Sequence, residues 1–226
     1  HLSIRRQRQM CIRDRSDRYD TTGIPEGQFQ PGSNNQVLLN KLGITDPVEM
    51  DEIELDLLEQ LTERILDEIT EDQTITTREL SEWHRRWLGN VYEWAGNFRS
   101  VNMGKGNFQF AAAHLVPKLM TEFDEKYLTV YTPCNRINEE ELLNAIATVH
   151  VEFVLIHPFR EGNGRLSRLL ANVMGLQAGQ PLLDFTYLDE HKADYFSAIQ
   201  AGLDNYEPMI QMFRRVLHAS RQNAGD

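Results

Sequence analysis

Residues 142–156, LLNAIATVHVEFVLI, and the loop that follows them, 157–168, HPFREGNGRLSR, decide the fold of this 226-residue chain. Apolar side chains cover nearly the whole circumference of a helix drawn through the first segment. In a globular protein, a helix that is apolar all round lies at the centre of its domain. The sequence therefore predicts a central helix with a polar loop at its carboxyl end.

Helical periodicity extends in both directions from this centre. Asn138 and Glu141 match a capping box, which places the start of the central helix. Residues 98–110 differ, because β-branched and aromatic residues flank two glycines there, and this predicts a short hairpin. The result is an all-α fold with one small β-hairpin. The other predicted helices cover 46–72, 77–90, 113–127, the segment after the loop, 188–203 and 208–221.

The charge of the chain is unevenly distributed. The net charge is −11, but residues 1–18 carry +4 and the remainder −15. An acidic body repels a phosphate backbone, so nucleic acid is not expected as a partner. The sequence shows neither a membrane-spanning run nor a secretory leader, and we expect a cytoplasmic protein without a membrane partner.

The amino-terminal region is expected to lie apart from the domain. Residues 8–16, RQMCIRDRS, resemble a translated sequencing adaptor, so we expect 1–17 to be an artefactual or disordered tail. Glycine, proline and asparagine are frequent in 22–36, which predicts an irregular arm over 18–45. The folded domain is then expected at 46–222. Two cysteines without a CxxC pair indicate free thiols.

The loop 157–168 carries the residue types that phosphate chemistry needs. Two glycines before a helix allow successive N–H groups to converge on one anion. A histidine can accept a proton at neutral pH, a carboxylate can hold Mg²⁺, and two arginines one turn apart can neutralise a polyphosphate. Taken singly, each residue is more often structural: Gly-Asn-Gly is commonly a turn and such a histidine a capping or core residue. Their combination within twelve residues favours phosphoryl or nucleotidyl transfer.

This loop resembles the Fic-family motif, HPFx[D/E]GNGRxxR, at every specified position. The resemblance extends from about Thr76 to Leu217, and 91–99, VYEWAGNFR, is similar to the family's segment before its flap hairpin, here 100–111. It implies an all-α Fic bundle with the hairpin over the active site. The implied activity is transfer of AMP from ATP to a Ser, Thr or Tyr hydroxyl of a target protein.

The resemblance also implies roles for individual residues. ATP is the co-substrate and Mg²⁺ or Mn²⁺ the cofactor. The implied roles are His157 as general base, Phe159 as a core anchor, Glu161 as metal ligand, Gly162, Asn163 and Gly164 as phosphate binders, Arg165 at the β-phosphate and Arg168 at the γ-phosphate. The flap is expected to hold the protein substrate by strand addition. Lys105 and Phe108 are its candidate target-positioning residues.

Many Fic proteins carry an inhibitory motif, [S/T]xxxE[G/N], whose glutamate pairs with the second arginine. The one match here is Thr22 to Gly27, with Glu26 as the inhibitory candidate. Pro25 and Gly23 disfavour the helix that the motif requires, so we expect Glu26 to inhibit weakly or not at all. If Glu26 does not inhibit, inhibition is either absent or supplied by a separate antitoxin-like protein.

Three other functions remain open at this point. A Fic-fold kinase of the death-on-curing type would transfer the γ-phosphate, although such proteins depart from GNGR. A catalytically inactive ATP-binding interaction module would not need His157, Glu161, Asn163 and Arg165 together. Removal of AMP from targets would require Glu26 to reach the site.

Overall fold

The structure, a computed structural model, describes residues 25–224. The predicted tail, 1–17, and the first part of the predicted arm, 18–24, lie outside the described residues. The described residues form two compact units. The first contains 25–67, Arg78–Leu119 and His157–Gly162, and the second contains Glu68–Thr77, Met120–Ile156 and 163–224.

The described residues are mostly helical, which confirms the predicted all-α fold with one hairpin. Strands Gly104–Lys105 (β1) and Phe108–Gln109 (β2) pair antiparallel. No helix between residues 25 and 224 is long and apolar enough to cross a bilayer. The helices are Pro47–Glu68 (α1), Thr77–Leu88 (α2), Val116–Phe123 (α3), Thr129–Tyr131 (α4), Glu139–Ile156 (α5), Asn163–Gln177 (α6), Thr186–Glu190 (α7), Lys192–Ala201 (α8) and Glu207–Ala224 (α9).

Two predicted helices differ from those observed. The single helix expected over 188–203 is wrong: α7 and α8 meet at His191, whose φ of −113° and ψ of 42° are not helical. Apolar periodicity does not detect such a break, because α8 resumes within one residue. The helix expected over 113–127 instead begins as a 3₁₀ turn and passes from α3 through a π-helical turn, Asp124–Leu128, into α4.

Aromatic side chains organise the first unit around the middle of α1. Trp87 of α2 donates its indole N–H to the Glu54 carbonyl at 2.8 Å, and the Tyr92 hydroxyl donates to the Glu54 carboxylate at 2.7 Å. Tyr92 also stacks on Trp94, with ring centroids 4.4 Å apart. These contacts fix the segment that leads into the hairpin.

The second unit is built around α5, as the sequence predicts. Buried side chains line α5 from Leu142 to Ile156, apart from Asn144, and α6 and α9 pack against it. The predicted capping box is confirmed: the Asn138 side chain accepts from Glu141 N at 3.0 Å, and Asn138 N donates to the Glu141 carboxylate at 2.9 Å. The capping box therefore fixes the start of the central helix.

One titratable side chain is buried inside this second core. His150 lies in the middle of α5, with its Nε2 2.8 Å from the Tyr195 hydroxyl and its ring edge-on to Phe213. Burial and, to a smaller degree, the positive charge of Arg168 lower the pKa of His150 to about 3. The imidazole is therefore neutral in the folded protein at physiological pH.

This burial predicts a specific acid sensitivity. Below about pH 6.5 the unfolded chain protonates His150, whereas the folded chain does so only near pH 3. The free energy of unfolding should therefore fall as the pH drops from 6.5 to 4. Urea denaturation over this range should give a shallower pH slope for His150→Gln, which cannot titrate. His114→Gln, at an exposed position, is the control. Equal slopes for wild type and His150→Gln would contradict the assignment.

Candidate active site

The loop after α5 begins with a sharp change of backbone direction. His157 has a φ of 54°, in the left-handed region that side chains other than glycine rarely occupy. Such a conformation costs about 1–3 kcal/mol and persists only where surrounding contacts impose it. Three groups of contacts in the first unit, made by Arg99, His84 and Phe110, hold residues 157–162 in place.

The first group comes from Arg99, whose side chain is only 2% exposed. Its Nε donates to the His157 carbonyl at 2.5 Å, and its two Nη atoms donate to the carbonyls of Val101 and Ala111 at 2.7 and 2.5 Å. The Arg99 backbone N–H donates to the Pro158 carbonyl at 2.8 Å. One guanidinium therefore joins the start of the loop to both ends of the hairpin segment. Burial lowers the pKa of Arg99 to about 10, so it stays charged at neutral pH.

His84 of α2 holds the other side of the loop. Its Nδ1 accepts the Gly96 N–H at 2.8 Å, which leaves Nε2 to carry the proton and donate to the Glu161 carbonyl at 3.1 Å. The imidazole also stacks on Phe159, with ring centroids 4.0 Å apart and planes at 10°. Phe159 is fully buried, in agreement with its expected anchoring role.

The hairpin segment places an aromatic ring on the candidate base. Phe110 stacks on the His157 imidazole with ring centroids 3.7 Å apart and planes at 10°. Phe108 meets Phe110 edge-on at 5.6 Å, and Lys105 is exposed on β1. Phe108 thus packs on the ring that stacks on His157. The target-positioning roles of Lys105 and Phe108 stay predictions.

Gly162 ends this half of the loop in close contact with α2. Its φ is +79°, and a Cβ there would lie 2.5 Å from the Trp87 ring. The Gly162 N–H donates to the carboxylate of Glu161 at 2.8 Å. Glycine is therefore required at 162 by the fold itself.

The second half of the motif forms the first turns of α6 in the second unit. The first N–H groups of a helix have no partner within that helix and attract anions. Asn163 is buried, whereas Gly164 is exposed, and a Cβ at Gly164 would have no atom within 4 Å. Arg165 and Arg168, both half-buried, follow on the same helix. This helix start therefore has open space and positive charge, which suits a phosphate group.

Arg168 makes an ion pair that the sequence did not predict. Its two Nη atoms donate to the two carboxylate oxygens of Asp189 on α7 at 3.0 and 2.8 Å. Its guanidinium also lies 5.2 Å from the centre of the Phe185 ring. Hydrogen bonding from Arg168 lowers the pKa of Asp189, so the pair is charged at neutral pH. Asp189 therefore engages both Nη atoms of Arg168 in this structure.

Glu26 has different partners from those of an inhibitory residue. It lies in a single 3₁₀ turn, Pro25–Gly27, and not in an α-helix. Its carboxylate accepts hydrogen bonds from the Ser100 N–H at 2.6 Å and from the Ser100 hydroxyl. The Glu26 carboxylate therefore binds Ser100, where the chain enters the hairpin segment, a position called the foot of the hairpin. The inhibitory role of Glu26 stays a prediction.

The described residues contain no cluster of three or more His, Cys, Asp or Glu side chains that could enclose a metal. Mg²⁺ does not need such a cluster, because it commonly binds one or two carboxylates together with substrate phosphates and water. The carboxylate of Glu161 is the candidate ligand in the loop, and this role stays a prediction.

Sequence reasoning found the loop but missed the residues that hold it. His84, Arg99, Phe110 and Asp189 lie from about 20 to more than 70 residues away from it, so only the tertiary fold reveals their contacts. A signal was available for two of them. His84 lies between two tryptophans in an otherwise amphipathic helix, and Arg99 ends the segment VYEWAGNFR.

The two glycines of the motif should respond oppositely to alanine. Gly162→Ala should lower the free energy of unfolding by about 3 kcal/mol, because the methyl group overlaps Trp87 and the positive φ is strained. Gly164→Ala should leave stability unchanged or raise it by up to about 1 kcal/mol, since alanine favours a helix. Chemical denaturation of both variants tests this, and equal losses would contradict the structural difference.

Comparison with known proteins supports the motif. Residues 74–174 match the model of the Fic/DOC family. "Protein adenylyltransferase Fic" of Nematostella vectensis is 32% identical over 152 residues, covering 65% of this chain. "Probable protein adenylyltransferase y4lH" of Sinorhizobium fredii is 27% identical over 83% of this chain. The chain spans 33% of the length of the first relative and 93% of the second.

A solved structure shows the same fold. The crystal structure of BepC from Bartonella tribocorum, with bound AMPPNP, has a TM-score of 0.69 at 22% identity and covers 86% of this chain and 97% of that one. The segment that matches the family model, 74–174, includes the whole of the loop 157–168 and the hairpin. Motif, curated relatives and fold agree that residues 74–174 of this chain form a Fic/DOC family domain.

Proposed function

We propose that this chain is a protein adenylyltransferase that transfers AMP from ATP to a hydroxyl side chain of a target protein. One observation carries the proposal: His157 is held in a strained conformation by Arg99 and Phe110, six residues before a helix start with an open glycine. Relatives named protein adenylyltransferase support the direction of transfer.

His157 is the general base in this proposal. It takes the proton of the target hydroxyl, and the oxygen attacks the α-phosphorus. The bond between that phosphorus and the leaving pyrophosphate then breaks. The Arg99 and Phe110 contacts fix the backbone and ring of His157, which reduces the reorganisation needed before attack.

The start of α6 binds the phosphates in this proposal. The backbone N–H groups of Asn163 and Gly164 bind phosphate oxygens, and Arg165 and Arg168 neutralise the β- and γ-phosphates. The Gly162 N–H donates to the Glu161 carboxylate, and its phosphate-binding role stays a prediction. The absence of a side chain at Gly164 allows the nucleotide to approach the helix end. Neighbouring atoms do not require glycine there, so in this proposal the glycine serves nucleotide access.

Glu161 would hold Mg²⁺ or Mn²⁺ when the nucleotide is bound. A divalent ion bound there would neutralise charge on the leaving pyrophosphate. The Gly162 N–H already holds one oxygen of the Glu161 carboxylate, which orients the side chain.

The hairpin is the proposed docking edge for the protein substrate. β1 is short and exposed, and an extended target segment can pair with such an edge through backbone hydrogen bonds. Lys105 and Phe108 would then contact the target. A cytoplasmic setting and an antitoxin-like inhibitor are part of the same proposal.

Labelled nucleotide tests the reaction directly. Label from α-phosphate ATP should appear on protein in the presence of Mg²⁺, and His157→Ala should reduce it by a factor of at least about 100, the usual loss when a general base is removed. Phe110→Leu, which keeps an apolar contact with the imidazole, should reduce it less. Label that transfers only from γ-phosphate ATP would instead establish the kinase alternative.

Arg168 should contribute to nucleotide binding rather than to folding. Arg168→Ala should weaken ATP binding about tenfold by calorimetry, the order expected for loss of charge-assisted hydrogen bonds. Its stability should change by less than about 1 kcal/mol, because the Asp189 pair is partly exposed. Arg214→Ala is the matched control, since Arg214 makes a similar two-pronged pair with Glu140. Unchanged ATP affinity in Arg168→Ala would remove Arg168 from the site.

A further inference from the structure

Glu26 is a buried carboxylate at the edge of the first unit, 7% exposed. Its Oε1 accepts two hydrogen bonds from one residue, the N–H and the hydroxyl of Ser100. Ser100 lies between Arg99 and Val101, at the point where the chain enters the hairpin segment. The carboxylate therefore fixes the peptide at the foot of the hairpin.

The backbone of Glu26 holds the catalytic loop at the same time. Its carbonyl accepts a hydrogen bond from Nε of Arg160 at 2.8 Å. Arg160 lies between Phe159 and Glu161, inside the motif. A single residue of the amino-terminal arm thus contacts both the foot of the hairpin and the loop that carries the candidate base.

The charges around Glu26 explain why an acid occupies this position. Arg99 is buried and Arg160 is half-buried, and burial lowers the pKa of each. The negative charge of Glu26 acts in the opposite direction on both and favours their protonated forms. Glu26 thereby stabilises the charged state of Arg99, which in turn binds the His157 carbonyl and both ends of the hairpin segment.

We infer that Glu26 is a positioning residue for the reaction, which clamps the foot of the hairpin to the catalytic loop. The inference rests on the proposed adenylyl transfer, but it assigns Glu26 an effect opposite to inhibition. Removal of an inhibitory carboxylate raises activity, whereas removal of a clamp lowers it. The sign of the effect therefore separates the two roles.

Glu26→Ala, Glu26→Gln and an exposed control on α1, Glu59→Ala, test the clamp. Glu26→Ala should lower the rate of protein modification about tenfold, as expected for loss of a hydrogen bond to a charged acceptor. The KM for the protein target should rise more than the KM for ATP, because the hairpin is the docking edge. Glu26→Gln keeps an acceptor oxygen for Ser100 and should recover part of the rate. Glu59→Ala should behave as wild type.

Hydrogen exchange provides a measurement that does not depend on activity. Backbone amides in 99–111 should exchange faster in Glu26→Ala than in wild type or Glu59→Ala. Ser100→Ala, which removes only the hydroxyl donor, should change exchange in the same direction to a smaller degree. It replaces Glu26→Ala as the test variant if Glu26→Ala folds poorly. Unchanged exchange in 99–111, or a higher modification rate, would overturn the clamp. A wild-type protein that transfers no α-label would refute the proposed function, while the exchange experiment would still decide the clamp.

Discussion

The buried guanidinium of Arg99 is the interaction on which the first unit of this protein depends. It donates to three backbone carbonyls, one in the loop 157–168 and one at each end of the hairpin segment. A lysine could not replace it, because one ammonium group cannot reach three acceptors in a planar fork. Since Arg99 holds a carbonyl of His157 itself, the left-handed backbone at His157 and the position of the hairpin are set by the same side chain.

The central helix and the loop could be predicted because their signals are local. An apolar run of helical length identifies α5, and a dozen consecutive residues hold the whole motif. The supporting contacts could not be predicted in this way. His84, Arg99 and Asp189 act through hydrogen bonds to residues distant in sequence, and a single sequence does not show which polar groups are brought together by folding.

The predicted bounds of two helices were wrong for a related reason. The break at His191 and the π-helical turn before α4 leave the pattern of apolar residues almost unchanged, since each shifts the helix by about one residue. The capping box at Asn138 was correct because both of its hydrogen bonds are made within four residues. Prediction thus succeeded where the stabilising contacts were short in sequence.

The ion pair between Arg168 and Asp189 affects how strongly the proposed nucleotide site responds to ionic strength. Both side chains are partly exposed, so dissolved salt screens their attraction. Salt also weakens the attraction between arginine and phosphate. If a bound nucleotide exchanges with Asp189 at the guanidinium, raising the ionic strength weakens the competing contact together with the productive one. Nucleotide affinity should then vary less with ionic strength than it would for an arginine without a carboxylate partner, which buffers the site against changes in cellular salt.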